Sequence, residues 1–262
     1  MVVSQDVLKK RRELAKDLNS FMNIIWKELP NSDLSGISSA ISDLNNSKYI
    51  PQIHNRETNP NIWGYDVPNL LFRFSSDPEK SKPYPLKKVE LLLTVTVRGD
   101  ANNLDTNNDP FESLNFDIIL KGEHNQNRLM TSYHLDRHIV DEGDNHSLEA
   151  HPCYHFQFGG KKMIDEHGKA LDSGSILFLD PPRISYHPMD LILGVDFLLS
   201  NFLPKNWNNL INNIGEYNAL VEKYQKLFLK PHAISMASHW DRRVLNGDSL
   251  NWTPSKIHPQ LK

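Results

Sequence analysis

Histidine and carboxylate side chains alternate with apolar ones between Ser132 and Gln157. The first run reads Ser-Tyr-His-Leu-Asp-Arg-His, and the second, after a polar loop, reads His-Pro-Cys-Tyr-His-Phe-Gln-Phe. Successive side chains of a strand point to opposite faces, so two paired strands here would gather the polar groups on one face. The residues expected on that face are His134, Asp136, His138, Cys153, His155 and Gln157. The other face would carry Tyr133, Leu135, Ile139, Tyr154, Phe156 and Phe158 toward a core.

Imidazole and carboxylate groups at this spacing are suitable ligands for a divalent metal. We predict a site formed by His134, Asp136, His138 and His155, holding zinc or manganese. A metal with an incomplete protein shell lowers the pKa of a bound water, which makes hydrolysis of a phosphoester or a similar polar substrate available. The spacing matches no specific metal-binding motif, and the alternative is that these side chains line the solvated face of a half-buried sheet.

The same residues also permit a catalytic site without metal. His134 or His155 would act as a general base, Asp136 would orient it, and Arg183 would bind an anionic group. The alternative for Arg183 is a structural pairing with a loop carbonyl or with a neighbouring carboxylate. Cys153 is disfavoured as a nucleophile, because it shares a strand face with His155 and lacks a nucleophile elbow.

Hydrophobic periodicity predicts the helices and strands that must position these groups. An amphipathic helix is predicted from Asp6 to Leu29 with Ser4 as its cap, and a shorter helix after Ser32. Lys48 to Pro85 is interpreted as a long connection containing a possible strand at Asn69–Phe74. Period-two alternation predicts four strands, at 89–98, 114–121, 129–139 and 153–158. Helices are expected over 191–202, over 207–228 and around 234–240. A proline-rich loop precedes them, and Pro188 would occupy the first turn of the 191–202 helix.

These elements predict one α+β domain over residues 1–262. Short connections favour a four-stranded antiparallel meander, covered on one face by N-terminal and C-terminal helices. The N-terminal helices occupy 1–47, the sheet 86–160, and the proline-rich loop with the C-terminal helices 181–240.

Composition limits the classes of function. The 262 residues are 39% hydrophobic, enough for a sizeable core, and 29 basic against 32 acidic residues give a net charge of −3. That balance lends no support to binding of nucleic acid or of an anionic membrane. One cysteine, no leader-like N-terminus and no apolar run of membrane-spanning length predict a cytoplasmic protein. The expected partner is a small or polar substrate, or another protein.

The order of elements resembles ubiquitin-conjugating enzymes and their inactive relatives, the RWD domains. An opening helix, a meander, a loop with Pro181-Pro182 and His187-Pro188, and closing helices carry this resemblance over about 86–202 and the first helix. Those enzymes place a nucleophilic cysteine shortly after the His-Pro segment, whereas residues 189–203 contain none. The resemblance therefore implies a non-catalytic adaptor or protein-interaction module, which is the alternative to a hydrolase.

Overall fold

An open antiparallel sheet is the central element of the fold. The computed structural model describes residues 2–53, 56–75, 86, 88–125, 127–137, 151–159, 163 and 183–261. Within these residues the chain is α+β, and six strands lie in the sheet in the same order as along the chain. The strands are β1 (Ile62–Phe74), β2 (Val89–Asp100), β3 (Ser113–His124), β4 (Asn127–Arg137), β5 (Tyr154–Phe158) and β6 (Ile184–Ser185).

The predicted count of four strands is wrong, because the sheet has a further strand at each end. β1 lies in the Lys48–Pro85 segment, which was expected to be mainly a connection; it contains the strand predicted at Asn69–Phe74 and begins seven residues earlier, at Ile62. Its alternation is interrupted by Pro68 and by Asn69, whose φ is 50°, and the structure accommodates both in a bulge between Val67 and Leu70. β6 has two residues, too few to show any periodicity in the sequence.

Helices precede and follow the sheet. They are α1 (Gln5–Glu28), α2 (Ser35–Asn45), α3 (Leu191–Phe202), α4 (Pro204–Asn213), α5 (Gly215–Tyr224), a π-helical turn (Gln225–Leu229), α6 (Lys230–Ala237), a 3-10 turn (Arg242–Leu245) and α7 (Pro254–Ile257). The Ser4 hydroxyl caps α1, as predicted, and the Asp190 carboxylate caps α3. Pro188 lies before that cap rather than in the first turn. None of the helices within the described ranges combines the length and apolar composition needed to cross a bilayer.

The core forms where helices meet the apolar face of the sheet. Gly194 lets α3 approach β3 closely, since a Cβ built there would lie 2.0 Å from Phe116 Cε2. Phe228 of the π-helical turn stacks on Trp63 of β1 with ring centroids 5.9 Å apart. Phe116 pairs across the sheet with Leu135 of β4, so this core lies directly behind the polar face of that strand.

Candidate metal centre

The pairing of β4 with β5 brings the predicted polar residues together. Asp136 lies opposite His155, and His134 lies opposite Gln157. Directly paired residues share a face, and side chains two residues apart along a strand also share one. The predicted common face is therefore confirmed for these four residues. Arg137 pairs with Tyr154 on the opposite face, as the alternation requires.

Three ligand-type side chains converge on this face. One ligand atom each from His134, Asp136 and His155 lies within 4.8 Å of the others, so the group can hold a metal ion. The His134 and His155 ring centroids are 6.3 Å apart, with the ring planes at 78°. The closest approach, 2.8 Å, joins His155 Nε2 to Asp136 Oδ1.

This close contact is not a hydrogen bond between His155 and Asp136. Among the described residues, Asp136 Oδ1 is a buried atom that receives no hydrogen bond, although His155 Nε2 lies within hydrogen-bonding distance. The imidazole N–H direction is therefore not aimed at the carboxylate oxygen. Two ligand atoms that lie side by side without sharing a proton are arranged as two ligands of one ion would be.

The site is closed on one side and open on the other. The His155 side chain is 3% exposed, whereas that of Asp136 is 37% exposed. His155 Nδ1 is also buried, without a hydrogen bond in the described part of the chain. The His151 ring packs edge-on against that of His155, with centroids 4.8 Å apart. A ligand entering from the Asp136 side would thus meet a fixed, desolvated imidazole.

Backbone and hydroxyl contacts from the C-terminal segment hold β5 in place. The Cys153 N–H donates to Lys256 O at 2.8 Å. Ser185 of β6, the residue paired with His155, donates its hydroxyl to Ile257 O at 3.0 Å. α7 and its flanks therefore fix the two backbone segments nearest His155.

The sequence also suggested roles for Arg183, His138 and Cys153. Arg183 immediately precedes β6 and is half-buried. His138 lies outside the described residues. Burial, with a smaller contribution from Asp109, raises the pKa of Cys153 to about 12. Cys153 therefore remains a protonated thiol at neutral pH and is a poor nucleophile.

Two polar positions on β3, Asn115 and Asp117, extend the polar face, although the sequence did not indicate a role for them. Asn115 lies opposite Asp136, and Asp117 lies opposite His134. Asn115 Nδ2 donates to Asp117 Oδ2 at 3.0 Å, so the polar face extends onto a third strand. The alternation of these residues with apolar ones was the available signal, but the sequence did not show which β4 residues they oppose.

No family model, no curated protein and no solved structure matches this chain. Its own residues are therefore the basis for assigning a function.

Proposed function

We propose that His134, Asp136 and His155 bind a divalent metal ion, zinc or manganese, and that the chain uses it to hydrolyse a phosphoester or a similar polar substrate. The observation that carries this proposal is the convergence of the three ligand atoms, in which Asp136 Oδ1 lies 2.8 Å from His155 Nε2 without accepting its proton. A buried carboxylate oxygen left without a hydrogen bond is costly unless another partner, such as a cation, interacts with it.

The ligand set favours catalysis over a purely structural role. Two imidazoles and one carboxylate leave coordination positions for water and substrate, whereas structural zinc sites are closed by four protein ligands. A bound metal would supply a water of lowered pKa and would polarise a substrate oxygen. The chain itself buries His155 and leaves Asp136 partly open to solvent, which gives a polar substrate a route of entry.

A metal-free version of the same hydrolysis uses the residues differently. His155 would act as the general base, Asp136 would orient it, and Arg183 would bind the anionic group. This version requires the His155 ring to turn so that its N–H meets Asp136, because the two groups are not hydrogen-bonded in this structure.

Metal analysis tests the proposal directly. The full chain, purified without a histidine tag, is incubated with zinc or manganese, desalted and measured by mass spectrometry of the metal. We expect stoichiometric metal in the wild type and in the control His239→Ala, and loss of the metal in His134→Ala, Asp136→Ala and His155→Ala. Absence of metal from the wild type, together with no binding in solution titrations of either ion, would contradict the proposal.

Hydrolysis is tested with nitrophenyl phosphate monoesters and diesters in the presence of manganese. We expect turnover that disappears with a chelator and in Asp136→Ala. Turnover that survives the chelator but is lost in His155→Ala would favour the metal-free version. A metal-loaded protein without turnover would support binding and reject these substrates.

An adaptor role is the second candidate, and the exposed end of the sheet supports it. Phe158 of β5 is 54% exposed and Ile184 of β6 is 58% exposed. Exposed apolar side chains on neighbouring strands are typical of surfaces that bind another protein. The lack of a cysteine in 189–203, after His187-Pro188, also fits a ubiquitin-conjugating-like fold without conjugation activity. We further propose the cytoplasm as the location, since a chain with one cysteine forms no internal disulfide.

A further inference from the structure

Gln157 makes the best-aligned polar contact of the candidate metal centre. It lies opposite His134 in the strand pairing and is 9% exposed. Its Oε1 lies 2.7 Å from His134 Nε2 in an aligned hydrogen bond. The His155–Asp136 contact has almost the same length but no such alignment. The two histidines of the site are thus held in different ways.

The contact with Gln157 determines which nitrogen of His134 can bind a metal. A neutral imidazole carries one proton, and an amide oxygen can only accept a hydrogen bond. With Gln157 Oε1 as the acceptor, the proton of His134 is assigned to Nε2 and the lone pair to Nδ1. Since a metal binds the unprotonated nitrogen, the bond to Gln157 leaves Nδ1 as the ligand atom.

We propose that Gln157 is a positioning residue of the candidate metal centre. It acts through His134, fixing its tautomer and its ring orientation so that the lone pair of Nδ1 stays available to the ion. This inference rests on the proposed metal-binding function and adds to it an outer-shell partner. Such partners of ligating histidines commonly change metal affinity by about 10-fold to 100-fold when they are removed.

Two variants of Gln157 separate positioning from packing. Gln157→Leu keeps most of the side-chain volume but removes the acceptor, whereas Gln157→Glu keeps an acceptor oxygen. Ser132→Ala is the matched control, because Ser132 lies on the same face of β4, is 2% exposed and bonds to Gly159 O rather than to the cluster. Zinc and manganese affinities of the full chain are measured by competition with a chromophoric chelator, and thermal unfolding of the metal-free forms monitors folding.

We expect Gln157→Leu to bind about 10-fold to 100-fold more weakly than the wild type. Gln157→Glu is expected to bind at least as tightly as the wild type, and Ser132→Ala to bind equally. Nitrogen-15 NMR of the metal-free protein should show the proton of His134 on Nε2 in the wild type and a mixture of tautomers in Gln157→Leu. This second readout would not change if Gln157 only filled space.

The outcomes distinguish this inference from the proposed function. A wild type that binds neither metal overturns both. Two results with a metal-binding wild type overturn only the role of Gln157. In the first, Gln157→Leu binds metal as tightly as the wild type; in the second, Gln157→Glu binds metal as weakly as Gln157→Leu. A His134 proton found on Nδ1 in the metal-free wild type also overturns it.

Discussion

At the scale of single residues, the strand that presents the candidate ligands is fixed from behind by a buried ion pair. Arg137 follows Asp136 and points to the opposite face, where its Nε donates to Asp109 Oδ2 at 3.0 Å. Asp109 also accepts from the Tyr154 hydroxyl and from the Phe111 N–H. Burial alone would lower the pKa of Arg137, but the neighbouring charges, with Asp109 foremost, raise it above its usual value. The end of β4 is therefore held by a charged, desolvated pair.

Removal of Asp109 should destabilise the protein strongly. The Arg137 side chain is only 16% exposed, and in Asp109→Ala its guanidinium would lose its negatively charged partner. We expect the free energy of unfolding to fall by about 3–5 kcal/mol in urea titrations. The control is Glu222→Ala, which removes an exposed ion pair with Lys226 and should leave the unfolding midpoint nearly unchanged. Equal midpoints for the two variants would contradict the account.

At the scale of elements, the contact between α3 and the sheet depends on the absence of a side chain at Gly194. A Cβ at this position would lie 2.0 Å from Phe116 Cε2 and 2.6 Å from Cζ. The Phe116 ring is fully buried and cannot move aside without displacing its neighbours. We expect Gly194→Ala to lower the free energy of unfolding by roughly 1–3 kcal/mol through overpacking, despite the better helix propensity of alanine.

The matched control for this variant is Gly215→Ala in α5. A Cβ built on Gly215 meets no atom within 4 Å. Its unfolding free energy should stay the same or rise by up to about 1 kcal/mol. If both variants were equally stable in chemical denaturation, α3 would not be packed as closely as described.

The polar face of the hairpin was predictable because it depends only on a side-chain period of two. Which residues oppose each other was not, because the register of Asp136 with His155 depends on the whole β4–β5 pairing. Nor does the sequence show that His155 is buried while Asp136 stays partly open, since that difference depends on tertiary packing. Trp63 and Tyr65, both fully buried on β1, lay in a segment whose proline and asparagine content indicated a connection.

At the scale of the whole molecule, two half-buried histidines, His187 and His232, connect stability to pH. Burial lowers the pKa of His187 to about 4; burial and the charge of His187 lower that of His232 to about 4 as well. The unfolded chain takes up these protons near pH 6.5, and the folded chain does so only near pH 4. The contribution of the two histidines to stability should therefore be fully present above pH 6.5 and be lost as the pH falls toward 4, by roughly 3 kcal/mol for each histidine.

Asp190 opposes this trend. Burial raises its pKa to about 7, so the folded chain binds that proton before the unfolded chain does, and this group favours folding as the pH falls. Urea unfolding at pH 7, 6, 5 and 4 measures the balance. The double variant His187→Gln and His232→Gln should lose the acid sensitivity, and Asp190→Asn should steepen it. An unchanged slope in the double variant would assign acid sensitivity to other groups.

The spatial order of the strands also has a consequence for biosynthesis. The six described strands follow the order of the chain, so none of them has to be inserted between two earlier ones. β1, β2 and β3 carry none of the three candidate ligands, and β4 carries two of them. A ribosome releases His155 last, after the other two ligands have emerged. The nascent chain can therefore align most of its hairpins before it acquires the complete set of metal ligands.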